Sequence, residues 1–130
     1  LWNKTISVNL VAAFLCSKAV VPGMLKLRHG RIISFTSEAA FKGSRNGAHY
    51  AAAKAGIIGF SKALALELAP YQVTVNTIRL DKGGGDPTET PLGSSRRPEE
   101  SIGPAIFLAS DAASYITGQT LLVNGSSLSE

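Results

Sequence analysis

A chain of 130 residues with 45% apolar and 17% charged positions has the length of one small domain and the apolar mass for one packed core, which excludes a disordered tail. Its lone cysteine, Cys16, excludes a disulfide scaffold and a cysteine-ligated zinc site, and suits a reducing, cytoplasmic compartment. The net charge of +4 divides into +8 over residues 1–65 and −4 over 66–130, but the cations stand singly without aromatic interleaving, so no nucleic-acid partner is expected.

From Thr5 the apolar residues Ile6, Leu10, Phe14, Leu15, Val21 and Leu25 recur with helical spacing and predict an amphipathic helix ending near His29-Gly30. Pro22 is expected to kink it or end its regular part, because a proline inside a helix lacks the N–H and crowds the preceding turn. Arg31-Ile-Ile-Ser-Phe-Thr36 is a short β-branched and aromatic run, read as a buried strand. Residues 38–48 hold Gly43, Ser44, Asn46 and Gly47 and read as a loop. The strongest helix spans Tyr50 to Ala69, rich in Ala and Leu and stopped by Pro70. Val73–Arg79 follows as a second buried strand. Residues 81–97, with Gly83-Gly84-Gly85, Pro87 and Pro91, form a long irregular loop. Pro98 with Glu99 and Glu100 opens a helix to about Ser110, the acids lying at the positive end of its dipole. Gln119–Val123 is a last strand, closed by Asn124-Gly125.

Strands separated by helices require crossover connections, so the class is α/β with a parallel sheet covered by helices. Three strands leave the one at 31–36 with an open edge unless something pairs with it. No membrane span is expected, since the longest charge-free stretch, 112–129, is full of Ser, Thr, Asn, Gln and Gly. No secretory leader is expected either. The chain opens at Leu1 with helical periodicity, and its only methionine is Met24, so it reads as a piece of something longer.

Tyr50 and Lys54 stand four apart on one helical face. A phenol ionises near pH ~10, too high for base work at neutrality, and a neighbouring ammonium favours the phenolate. That pairing brings Tyr50 towards general acid–base catalysis. The same spacing also occurs on many helices with no chemistry. Ser37 ends the first strand, where ligands gather in α/β folds, and lies thirteen residues before Tyr50. Its hydroxyl is placed to bond a substrate oxygen, or merely to begin a turn with Thr36. Asn9 is polar within an apolar helix segment, either a structural bridge or part of a polar relay. His29 and His49 lack ligand spacing, so they read as surface or loop residues and no metal site is expected.

Val8-Asn9-Leu10, Gly30 to Ser37, Tyr50-Ala-Ala-Ala-Lys54-Ala-Gly56, Val73-Thr-Val-Asn76 and Phe107-Leu-Ala-Ser-Asp111 through Thr117-Gly118-Gln119 together resemble the short-chain dehydrogenase/reductase family. The branch they resemble is that of the 3-oxoacyl-carrier-protein reductases. The resemblance implies a partial doubly wound, Rossmann-like sheet and an NAD- or NADP-dependent oxidoreductase interconverting a carbonyl and a secondary alcohol. It makes Tyr50 the acid/base, and has Lys54 hold the nicotinamide ribose and tune that tyrosine. It also makes Ser37 the orienting hydroxyl and Asn9 the anchor of a water in a proton relay. Thr90, in Glu89-Thr90-Pro91-Leu92, matches a threonine that contacts the nicotinamide carboxamide. A small-molecule carbonyl or alcohol substrate and a homodimer or homotetramer of the complete protein are implied, with no membrane partner.

The sequence departs from the family in several places. The glycine-rich TGxxxGxG turn that seats a pyrophosphate is absent, so residues 1–130 correspond to the carboxy-terminal, catalytic half, expected to be inactive in isolation. Leu80-Asp81 stands where relatives have Pro-Gly, followed by the additional Lys82–Thr88. The stretch that forms a substrate lid is nearly gone, and Asn124-Gly125-Ser126 replaces Asp-Gly-Gly. An alternative expectation is a non-catalytic remnant that associates through the helices at 5–27 and 50–69.

Overall fold

The computed structural model describes residues 1–81, 88, 90–93 and 97–126. The triple glycine at 83–85, most of the additional segment after Asp81, and Glu89 and Arg96 lie outside the described residues.

The first element is one long helix, α1 (Trp2–Leu27). Its hydrogen bonding widens to π-helical over Ser7–Val11 and returns to α-helical over Ala12–Leu27. Strand β1 (Gly30–Ser37) follows, then the single turn α2 (Ala39–Lys42) and the long helix α3 (Ala48–Leu68). A 3-10 turn at Ala69–Tyr71 leads into β2 (Val73–Leu80). After the long connection, a 3-10 turn at Pro98–Ser101 opens α4 (Ile102–Ala109), and β3 (Thr120–Val123) closes the described fold.

The three strands are parallel in the order β1-β2-β3, with Gly30 opposite Val73 and Thr77 opposite Thr120. The expected α/β class and open parallel sheet are therefore what this chain forms. β2 is central, and every residue from Val73 to Arg79 is buried. Its side chains alternate between two cores, as the two-residue period of a strand demands. Val73 and Val75 pack with Ala65 and Leu68 of α3. On the other face, Ile78 and Leu80 pack with Leu108 of α4. Each such buried branched side chain contributes about 1.5–3 kcal/mol relative to leaving it in water. At 1% exposure, Asn76 ties β2 to the approach to β3: its Nδ2 donates to Ile116 O at 2.8 Å, and its Oδ1 accepts from Gln119 N at 3.0 Å.

Several elements differ from the sequence expectations. α1 starts at Trp2 and runs through Pro22 to Leu27, so the proline does not end it. The break in regular hydrogen bonding falls instead at Ser7–Val11, around Asn9. The helix stops where expected, with Arg28 left-handed and His29 N bonded to Met24 O at 3.2 Å. Within the stretch read as a loop, Ala39-Ala-Phe-Lys42 closes one helical turn, braced by Glu38 and Lys42 at 3.6 Å. His49 lies in the first turn of α3 rather than in a loop.

By length and composition α1 is apolar enough to cross a membrane, with a mean hydropathy of 1.7 over its best window, only 6% of which is buried. A search for charge-free stretches passes over it because Lys18 divides the run. Its open face carries Val8, Phe14, Leu15 and Val20. The open edge expected of the first strand is real: among the described residues β1 pairs with β2 alone.

Candidate active site

Ser37 is the last residue of β1, and Tyr50 and Lys54 occupy the first two turns of α3. The two elements are stitched together at this point. Thr36 Oγ1 donates to the main-chain carbonyl of Lys54 at 2.8 Å, and Lys54 Nζ donates to Phe35 O at 3.1 Å. These reciprocal bonds fix α3 against the carboxyl end of β1, the side of an open α/β sheet where ligands bind. Thr36, read from the sequence as a residue that closes a strand, is thus the residue that seats Lys54. Only its β-branched hydroxyl next to Ser37 signals this in the sequence.

The Lys54 ammonium lies 5.7 Å from the centre of the Tyr50 ring. The predicted same-face pairing is therefore present. Half-burial lowers the Lys54 pKa below the ordinary lysine value, because a charge partly stripped of water is disfavoured. Tyr50 is 38% exposed and open to a ligand. Ser37 Oγ accepts from Ala39 N at 3.3 Å, so the hydroxyl is tied to the first residue of α2 and keeps its own proton to donate.

Asn9 lies in the π-helical segment of α1, where its Nδ2 donates to Thr5 O at 3.0 Å. The amide is bonded within its own helix rather than to Tyr50 or Lys54. The segment nevertheless lies against α3, because a Cβ on Gly56 would meet Leu10 Cδ2 at 2.7 Å. A larger side chain there would press on the tip of Leu10. Thr90 is farther along the sheet. It stands beside Gly125, past the end of β3, with its carbonyl accepting from Gly93 N at 2.7 Å. Ser37, Tyr50 and Lys54 are thus gathered at one corner, Asn9 sits on the helix behind them, and Thr90 lies across β2 from them.

A model of the short chain dehydrogenase family matches residues 1–100. The chain belongs to that family. It is 47% identical over 135 aligned residues to 3-oxoacyl-[acyl-carrier-protein] reductase of Synechocystis sp., covering 95% of this chain and 55% of that one. FabG of Escherichia coli K12, also a 3-oxoacyl-[acyl-carrier-protein] reductase, is 44% identical over 137 residues, covering 95% of this chain and 56% of that one. Among solved structures, a 3-oxoacyl-[acyl-carrier protein] reductase with bound NAD from Brucella melitensis superposes with a TM-score of 0.91 at 34% identity, covering 98% of this chain and 52% of that one. A gluconate 5-dehydrogenase from Burkholderia cenocepacia in complex with NADP and tartrate superposes with a TM-score of 0.91 at 28% identity, covering 97% and 55%. The chain spans a little over half the length of the curated relatives it matches.

The Tyr50 and Lys54 side chains offer the kind of polar groups that the nicotinamide end of a dinucleotide would take. The Lys54 ammonium uses one of its three N–H donors on Phe35 O, which leaves two for a ligand, and it lies 5.7 Å from the centre of the Tyr50 ring. For the pyrophosphate, residues 1–130 contain no TGxxxGxG sequence.

Among the described residues no cluster of His, Cys, Asp and Glu could hold a metal ion.

Proposed function

We propose that this chain is the catalytic half of an NAD(P)-dependent oxidoreductase that interconverts a carbonyl and a secondary alcohol, and that turnover requires the complete protein. The observation that carries this reading is the double stitch between β1 and α3, which gathers Ser37, Tyr50 and Lys54 at one corner. In the reducing direction Tyr50 Oη gives its proton to the substrate oxygen, and in the oxidising direction it takes one back. Ser37 Oγ–H bonds the same oxygen and holds it in reach of Tyr50. The Lys54 ammonium stands over the Tyr50 ring, and its remaining donors would hold the ribose hydroxyls of the cofactor. Hydride transfer is what the nicotinamide supplies when bound. Asn9 would anchor a water of the proton relay, and Thr90 would hold the carboxamide end of the cofactor. The compartment is the cytoplasm, in keeping with the lone exposed cysteine.

The names of the relatives make a 3-oxoacyl thioester the first substrate to assay, with a polyol or its keto form second. The test is NAD(P)H oxidation by the complete native polypeptide, whose intact mass shows how much chain accompanies these 13.6 kDa. Loss of turnover in Tyr50→Phe with cofactor binding retained supports the reading. Undiminished turnover in that variant refutes it.

A second reading is favoured by the groove between α1 and α3. It is about 430 Å³, lined by Phe14, Val21, Pro22, Phe60 and Leu64, and flanked by exposed Leu15 and Val20. In this reading the isolated 130 residues associate through these helices and catalyse nothing. A monomer in sedimentation would dismiss it.

A further inference from the structure

Arg79, near the end of β2, has no exposed surface. Its Nε donates to Asp81 Oδ1 at 2.8 Å and its Nη2 to Asp81 Oδ2 at 3.4 Å, while Nη1 has no hydrogen-bond partner among the described residues. Such a pair is a poor stability device, because desolvating both charges offsets most of their attraction and an apolar pair of similar volume does as well or better. Its location suggests a different role. The guanidinium carbon stands 4.7 Å from the centre of the Phe41 ring, close enough for the ring's negative face to hold the cation.

Phe41 belongs to α2, a helix of four residues. One turn cannot sustain itself in water, because nucleation fixes several residues for a single hydrogen bond. α2 must therefore be held from outside. Ser37 Oγ is bonded to Ala39 N, the first residue of α2, so whatever holds α2 also holds the Ser37 hydroxyl. Arg79 is the register partner of Thr36, the residue that seats Lys54. Arg79 thus lies beside Thr36 in the sheet and against Phe41 of α2.

We propose that Arg79, oriented by Asp81, is a positioning residue that clamps α2 through Phe41 and so sets the Ser37 hydroxyl relative to Tyr50. This rests on the reading of Ser37 and Tyr50 as the reacting pair.

The test uses Phe41→Leu, Phe41→Tyr, and the double variant Arg79→Met with Asp81→Leu. Phe41 is half-exposed, so its variants fold even if the double variant does not. Amide hydrogen exchange is read at Phe41, Lys42 and Gly43, whose N–H groups bond to Glu38 O or Ala39 O. Exchange there is expected to quicken at least tenfold in Phe41→Leu and in the double variant, with β2 amides unchanged and Phe41→Tyr restoring protection. In the complete polypeptide kcat falls tenfold or more in the same two variants at unchanged KM for the cofactor, and Phe41→Tyr restores it. Unchanged exchange at α2 overturns the clamp. Quickened exchange with unchanged kcat overturns its positioning role. Quickened exchange in a complete polypeptide that turns over no carbonyl overturns the reading of Ser37 and Tyr50 and leaves the clamp standing.

Discussion

Thr36 and Lys54 hold each other across the junction of strand and helix. The threonine hydroxyl donates to the lysine carbonyl at 2.8 Å, and the lysine side chain reaches back to the carbonyl of Phe35 at 3.1 Å. Thr36→Val keeps the shape and removes one of the two bonds. It is expected to cost about 0.5–1.5 kcal/mol, the usual net worth of one such bond. Urea unfolding at constant m-value measures it, and the loosened helix should also reduce turnover of the complete protein.

Removing the proposed acid/base has a different signature. Tyr50→Phe leaves the half-exposed ring in place, so folding is unaffected while kcat falls by about 10²–10⁴, the typical worth of a positioned proton donor. Ser37→Ala is expected to lower kcat less and to release Ala39 N from its bond. Steady-state kinetics beside fluorescence titration of the cofactor separates the loss of chemistry from a loss of binding.

Lys54 makes stability depend on pH. Its folded pKa lies below the ordinary 10.5 because burial disfavours the charge. Below the lowered folded value both states carry the proton, and the folded state bears the desolvation cost in full. Between the lowered folded value and 10.5 the unfolded chain binds more protons, so stability rises with pH in that window. Subtracting the stability profile of Lys54→Met from that of the wild type should isolate this rise. A flat difference would mean that the ammonium is as well solvated folded as unfolded.

Gly56 faces Leu10 at the crossing of α1 and α3, where an added Cβ would come within 2.7 Å of Leu10 Cδ2. Gly56→Ala meets only the flexible tip of that leucine and gains about 1 kcal/mol of helix propensity, so it should be close to neutral. Gly56→Leu has no such relief and should destabilise by about 1–3 kcal/mol. It also displaces the π-helical segment carrying Asn9. Thermal unfolding of the two variants side by side reads the difference.

Local chemistry made much of this molecule legible in its sequence. The alternation of Val73-Thr-Val-Asn-Thr-Ile-Arg79 and the Ala-rich run closed by Pro70 carry their structure within a few residues, and Tyr50 and Lys54 share a face by helical geometry alone. What stayed hidden depends on residues far apart in the chain. The bridge from Asn76 to Ile116 and Gln119 spans about forty positions, and nothing near Asn76 announces it. The turn α2 was masked by the glycines after it, since its support comes from β2. Pro22 does not end α1, because the rest of the helix is bonded well enough to carry one missing N–H.

The open edge of β1 has a practical consequence. Gly30–Ser37 contains two isoleucines and a 41%-exposed Phe35, with Arg31 as its one charge, and its outer row of N–H and C=O groups has no strand beside it among the described residues. A short, β-prone, weakly charged edge is a template on which further strands can stack. Concentrated solutions of these 130 residues should therefore cloud first through β1, and a peptide that caps the edge would keep them clear.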